Sequence, residues 1–177
     1  MNIRQAIRSL LVCALGASVT ACAVVQNIRN PPQCELTRGH SVVRYINEIR
    51  GRESLLPLRV DLNLMQAAQK HARDMADNGF MGHDGSDGSS PSYRAGAADY
   101  KWVFVAENVG SGYPSAATIV AGWQASPSHR DNNLSEVVQH IGVGYAENPG
   151  SEQRTYWVAL FGASMDPPTT TPGGCHP

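Results

Sequence analysis

Charge is scarce in this chain: only 16% of its 177 residues are charged, and 14 Lys+Arg nearly balance 15 Asp+Glu. A net charge of −1 lacks the basic footprint with which a protein holds phosphates, so nucleic acid is excluded as a partner. Aromatics are few, at 7%. Beyond residue 22 no apolar run approaches the roughly 20 residues that span a bilayer. Internal repeats are absent, as are a Gly-x-Ser-x-Gly elbow and a local His-x-x-x-His pair, so neither a familiar hydrolase nor a helical metal motif stands out. What is present suits one domain. The length allows a single core, and 42% hydrophobic residues argue against wholesale disorder.

The first 21 residues read as an export signal, with Arg4 and Arg8 ahead of an apolar stretch from Leu10 to Val19. Val19-Thr20-Ala21-Cys22 is similar to the bacterial lipobox, where cleavage precedes a cysteine that takes lipid. The alternative is an ordinary secretory signal cut at a nearby small residue. Lipidation of Cys22 would anchor the protein to a membrane by more than one chain, since single acyl chains hold only marginally. Ala23 offers no Asp, so the outer membrane is the expected destination in a host with two membranes. Without the anchor the protein is periplasmic or extracellular.

Cleavage before Cys22 removes Arg4 and Arg8 and no acid, leaving 12 basic residues against 15 acidic. Cys34 and Cys175 then remain as an even pair in an oxidising compartment. A bridge between them would close a loop longer than about 100 residues, worth about 4–5 kcal/mol in the chain-entropy model. Two free thiols on irregular ends are the alternative.

The pattern divides the mature chain into a tether over residues 22–38, a domain over 39–164 and an irregular Pro/Thr/Gly tail over 165–177. A first helix is expected from Gly39 to Arg50, with Val42, Ile46 and Ile49 on one face. Asp61 caps a second, which carries Leu62, Met65, Ala68, Ala72 and Met75 on one stripe and ends at Asn78-Gly79. A Gly/Asp/Ser loop from His83 to Ser90 leads to a short helix after Pro91. A strand follows from Trp102 to Val109, and Ser115 opens a helix with Ala116, Ile119, Val120 and Trp123 inward. Strands at Ile141–Glu147 and Thr155–Gly162 form a terminal hairpin. Helices early and strands late indicate an α+β fold.

Three polar residues sit in short, distinctive settings: His83 in Phe80-Met81-Gly82-His83-Asp84, Glu107 in Ala106-Glu107-Asn108, and His129 in Ser126-Pro127-Ser128-His129-Arg130. Two imidazoles and a carboxylate in one cavity can hold a divalent cation such as zinc, or do acid–base work with Glu107 as the base. Read without further context, surface or hydrogen-bonded histidines are the commoner case. Asp84-Gly85-Ser86-Asp87-Gly88 lacks the closing Glu of a calcium loop and reads as a flexible turn. Ser126-Pro127 reads as a helix stop. His71 is expected in solvent, and Trp102, Trp123 and Trp157 in the core or at its edge.

Taken together, the segments resemble the CAP superfamily of cysteine-rich secretory, venom-antigen and pathogenesis-related proteins, in its bacterial SCP-like form. The likeness runs from about Ser41 to Phe161. It rests on Asn47-Glu48-Ile49-Arg50, Asp61-Leu62-Asn63-Leu64, His71-Ala72-Arg73-Asp74-Met75, His83, Ala106-Glu107-Asn108, Trp123-x-x-Ser126-Pro127-x-His129-Arg130 and Ile141-Gly142-Val143-Gly144-Tyr145.

The resemblance implies a three-layer α-β-α sandwich whose cavity residues are His83, Glu107, Ser126 and His129, with His83 and His129 as metal ligands. Ser126 stands where animal and plant members carry a second glutamate, which puts a two-carboxylate mechanism in doubt. His140 stands where bacterial members often carry an acid, and is expected at a strand edge facing water. The expected function is a monomeric, non-enzymatic module that binds a small lipid-like ligand or a protein partner. A metal- or Glu-dependent hydrolase of peptide or cell-wall material and a structural envelope lipoprotein are the alternatives.

Overall fold

The computed structural model describes residues 33–169, with side chains from Arg38 onward. Cys22, Cys175 and the side chain of Cys34 lie outside the described part, as do the export signal and most of the tether and tail. The elements are α1 (Gln33–Arg52), β1 (Arg59–Val60), α2 (Leu62–Asn78), α3 (Pro91–Ala97), β2 (Trp102–Ser111), α4 (Ala116–Ala125), α5 (Pro127–Leu134), β3 (His140–Glu147) and β4 (Thr155–Ser164). Among the described residues no helix is long and apolar enough to cross a membrane.

Local signals account for most of the boundaries. The Asp61 side chain accepts from the backbone N–H groups of Asn63 and Leu64, and Gly79 closes α2 in the left-handed region at φ 67°. Ser115 and Thr118 form a reciprocal capping box on α4. Three boundaries depart from the pattern. Helix α1 begins at Gln33, so residues expected in the tether continue the helix. The two-residue strand β1 pairs Arg59 with His140 and is too short to show a period. Ser126-Pro127 does end α4, but Pro127, whose fixed φ suits a first helical turn, immediately opens α5.

The four strands form one sheet in the order β1-β3-β4-β2, parallel only between β1 and β3. Strand β4 is buried on both faces and alternates between two cores. Trp157, Ala159 and Phe161 join Val42 and Ile46 of α1 and Ile119, Val120 and Trp123 of α4. Tyr156, Val158 and Leu160 join Leu64, Ala68, Ala72 and Met75 of α2 and Ala95 of α3. This is the α-β-α sandwich, with the sheet as its middle layer.

Three side chains sit other than expected. His71 and His140 are both buried, not in solvent. His140 lies between Tyr100, whose hydroxyl is 2.9 Å from Nδ1, and Arg59, whose Nη2 is 3.3 Å from Nε2. Its place on a strand between β1 and β4 seals it from water. Trp102, at the start of the edge strand β2, is 46% exposed.

Candidate functional site

Strand β2 is an edge strand, and the candidate residues gather around that edge. Neighbouring residues on a strand point to opposite faces, and Glu107-Asn108 uses both. On one face Glu107 meets the loop after α2 and the helix α3. Its Oε1 is 2.9 Å from His83 Nδ1, and its Oε2 accepts from Arg94 Nη2 at 2.7 Å. The Glu107 side chain is 1% exposed and that of Arg94 5%, so each desolvated charge has its counter-charge. On the other face Asn108 anchors α5: its Nδ2 donates to the His129 carbonyl at 3.0 Å and to Asn133 Oδ1 at 3.1 Å. Asn132 donates back to Asn108 Oδ1 at 2.8 Å and to the Glu107 carbonyl. Buried Arg50 secures the far end of α5 through the carbonyls of Asn133 and Ser135.

His83 is thus oriented by its Nδ1, while its side chain is 54% exposed and its Nε2 is left toward solvent. The hydrogen bond to Glu107 raises the His83 pKa above the ordinary histidine value. His129, half-buried, has its pKa lowered, first by desolvation and then by the charge of His83. Ser126 caps no backbone N–H of α5. Together with His129 it lines a groove of about 320 Å³ whose other walls include Met81, Val109, Tyr113 and Trp123. Gly122 makes room for that wall, since a Cβ there would lie 2.6 Å from the Tyr113 hydroxyl.

The structure therefore brings His83 and Glu107 into contact and sets Ser126 and His129 on the adjoining groove. Among the described residues, no group of three or more His, Cys, Asp or Glu side chains is placed to hold a metal. Both Glu107 oxygens are engaged, so His83 Nε2 and His129 are the donors left. Two neutral imidazoles suit a loosely held divalent ion completed by water, not a four-ligand structural zinc. A hydrogen bond from the distal nitrogen to a carboxylate is the usual means of orienting such a ligand.

Sequence reasoning missed Arg94, Asn132, Asn133, Met81 and Tyr113. The Asn132-Asn133 doublet in a short helix was a usable signal, because Asn is a poor helix former kept where its amide is needed. Arg94 carried none. The turn at Asp84–Gly88 is tied down by Asp74, which accepts from the Ser86 backbone N–H at 2.8 Å.

The model of the cysteine-rich secretory protein family, CAP, matches residues 43–161. YkwD of Bacillus subtilis (strain 168), described as an uncharacterized protein, is 31% identical over 107 residues, 60% of this chain and 42% of its own length. The crystal structure of an extracellular protein containing an SCP domain from Bacillus anthracis str. Ames is 25% identical with a TM-score of 0.66, covering 73% of this chain and 41% of that one. An outer surface protein from Borrelia burgdorferi, 24% identical with a TM-score of 0.64, shares the fold over 70% of this chain and 90% of its own. The chain spans about two fifths of the length of the first two relatives.

Proposed function

The chain belongs to the cysteine-rich secretory protein family, CAP, and from that premise we propose that it is an exported, non-enzymatic binding module. Its groove takes a small lipid-like ligand or a partner segment beside a divalent cation held by His83 and His129. The carrying observation is the His83–Glu107 contact, which orients one imidazole in a loop whose Met81 lines the same groove as His129. Export, with an anchor at Cys22 and a Cys34–Cys175 bridge in the same compartment, is supported by the N-terminal pattern. It is also supported by relatives described as extracellular or as outer surface proteins.

A hydrolase using Glu107 as general base has less support. A base must come within hydrogen-bond reach of the proton it takes, and the Glu107 side chain is 1% exposed with its oxygens turned to His83 and Arg94. Ser126 supplies no second acid.

Calorimetric titration of zinc into the full-length protein tests the proposal. Wild type binds, and His83→Ala and His129→Ala each lose most of the binding. Affinity starts to fall as pH drops through the raised pKa of His83 and falls further through the lowered pKa of His129, because ligating imidazoles must be neutral. Equal affinity in all three proteins would overturn the site.

A further inference from the structure

We infer that His71 is a positioning residue of the cleft: through the Gly82 carbonyl, its buried imidazole holds the loop that sets His83 against Glu107. The inference rests on the binding role proposed above. His71 lies on the buried stripe of α2, where Ala68, Ala72 and Met75 are apolar, and it is 1% exposed. A buried imidazole is costly unless its polar atoms are used. Here its hydrogen bond goes to the site loop: Nε2 lies 2.8 Å from the Gly82 carbonyl oxygen. A carbonyl only accepts, so Nε2 carries the proton and Nδ1 is bare. That Nδ1 has no hydrogen-bond partner, and Asp74 Oδ2, also an acceptor, stands 4.0 Å away. An edge-on contact with Phe80, 6.3 Å between ring centres, fixes the ring against the start of the same loop.

The next carbonyl along the chain is held independently. Arg94 Nη2 donates to His83 O at 2.9 Å while it pairs with Glu107. The carbonyls on both sides of His83 Cα are therefore gripped by buried side chains from α2 and α3. Just ahead of them Gly82 would otherwise leave the backbone free to choose many conformations. With both grips in place, the His83 ring has its Nδ1 on Glu107 and its Nε2 outward. His71 touches neither ligand nor metal and acts only through that geometry.

Nitrogen-15 ring spectra of the full-length protein, taken well above the histidine titration range, read the tautomer of each imidazole. The wild type is expected to show His71 protonated on Nε2 and His83 on Nδ1. His71→Phe keeps a ring in the site and removes the donor. His83 then relaxes toward the tautomer mixture of a free imidazole, and zinc affinity falls about tenfold or more, as for other outer-shell losses. His71→Gln returns a donor at the same reach and restores both.

A folded His71→Phe that keeps the wild-type His83 tautomer and zinc affinity would overturn the inference, as would His71→Gln behaving like His71→Phe. Should His71→Phe fail to fold, the wild-type spectrum decides, and a His71 protonated on Nδ1 overturns it. If the wild type binds no zinc, the binding role fails and the tautomers still judge the positioning.

Discussion

Glu107 is one of few charged side chains in the interior, and its two partners differ in kind. Arg94 is buried with it and always charged, whereas His83 is half in solvent and titrates. The Arg94 contact is the one that makes burial tolerable. Replacing Arg94 with Met would leave a desolvated carboxylate with only an exposed imidazole beside it, and would also release the His83 carbonyl. Losing one partner of a buried ion pair costs about 3 kcal/mol or more. Urea unfolding of Arg94→Met should register that loss, and Glu107→Gln in the same background should recover part of it. No recovery would mean that Arg94 acts through packing alone.

At the scale of elements, the run Ile141-Gly142-Val143-Gly144-Tyr145 shows how a helix is seated on the sheet. Ile141, Val143 and Tyr145 face the core under α1 and α4. The intervening glycines face α2, and there is no space for anything larger. A Cβ on Gly142 would stand 2.1 Å from the backbone of Leu64 and Met65, and one on Gly144 2.3 Å from the backbone of Ala68. The obstacle is helix backbone, which cannot rotate aside as a side chain can. Gly142→Ala or Gly144→Ala therefore has to push α2 off β3, at about 3 kcal/mol or more, at or beyond the upper end of overpacking costs. Because α2 carries His71, zinc affinity should weaken along with the melting temperature. A stable Gly142→Ala protein with unchanged melting would contradict the close approach.

For the whole molecule, the histidines oppose one another in acid. Burial lowers the pKa of His71 and of His140, and desolvation lowers that of His129. The unfolded chain takes up these protons as pH falls through about 6.5 while the folded state resists, so each subtracts stability on the acid side. His83 runs the other way. Its raised pKa contributes stability that is fully present below about 6.5 and is lost as pH rises through the folded value. Three groups against one predict a lower melting temperature near pH 5 than near pH 7.5, with His140→Gln reducing the difference. A melting temperature that rises steadily into acid would reverse that balance.

The sequence by itself determined what depends on neighbours within one or two turns. The Asp61 cap, the Gly79 stop, the Ser115 helix start and the terminal hairpin were all legible. Each is a short-range match between a side chain and its own backbone. The family likeness of the ordered segments added the sandwich and the grouping of His83, Glu107, Ser126 and His129. The tertiary structure alone decided which polar side chains are buried and whom they meet. His71 reads as a solvated helix residue until Phe80 and the Gly82 carbonyl close over it. His140 reads as a strand edge until β1 and Tyr100 cover it. Arg94 is one more surface arginine until Glu107 arrives from β2. Burial is set by chain segments far apart in sequence, and desolvation then makes every such contact obligatory.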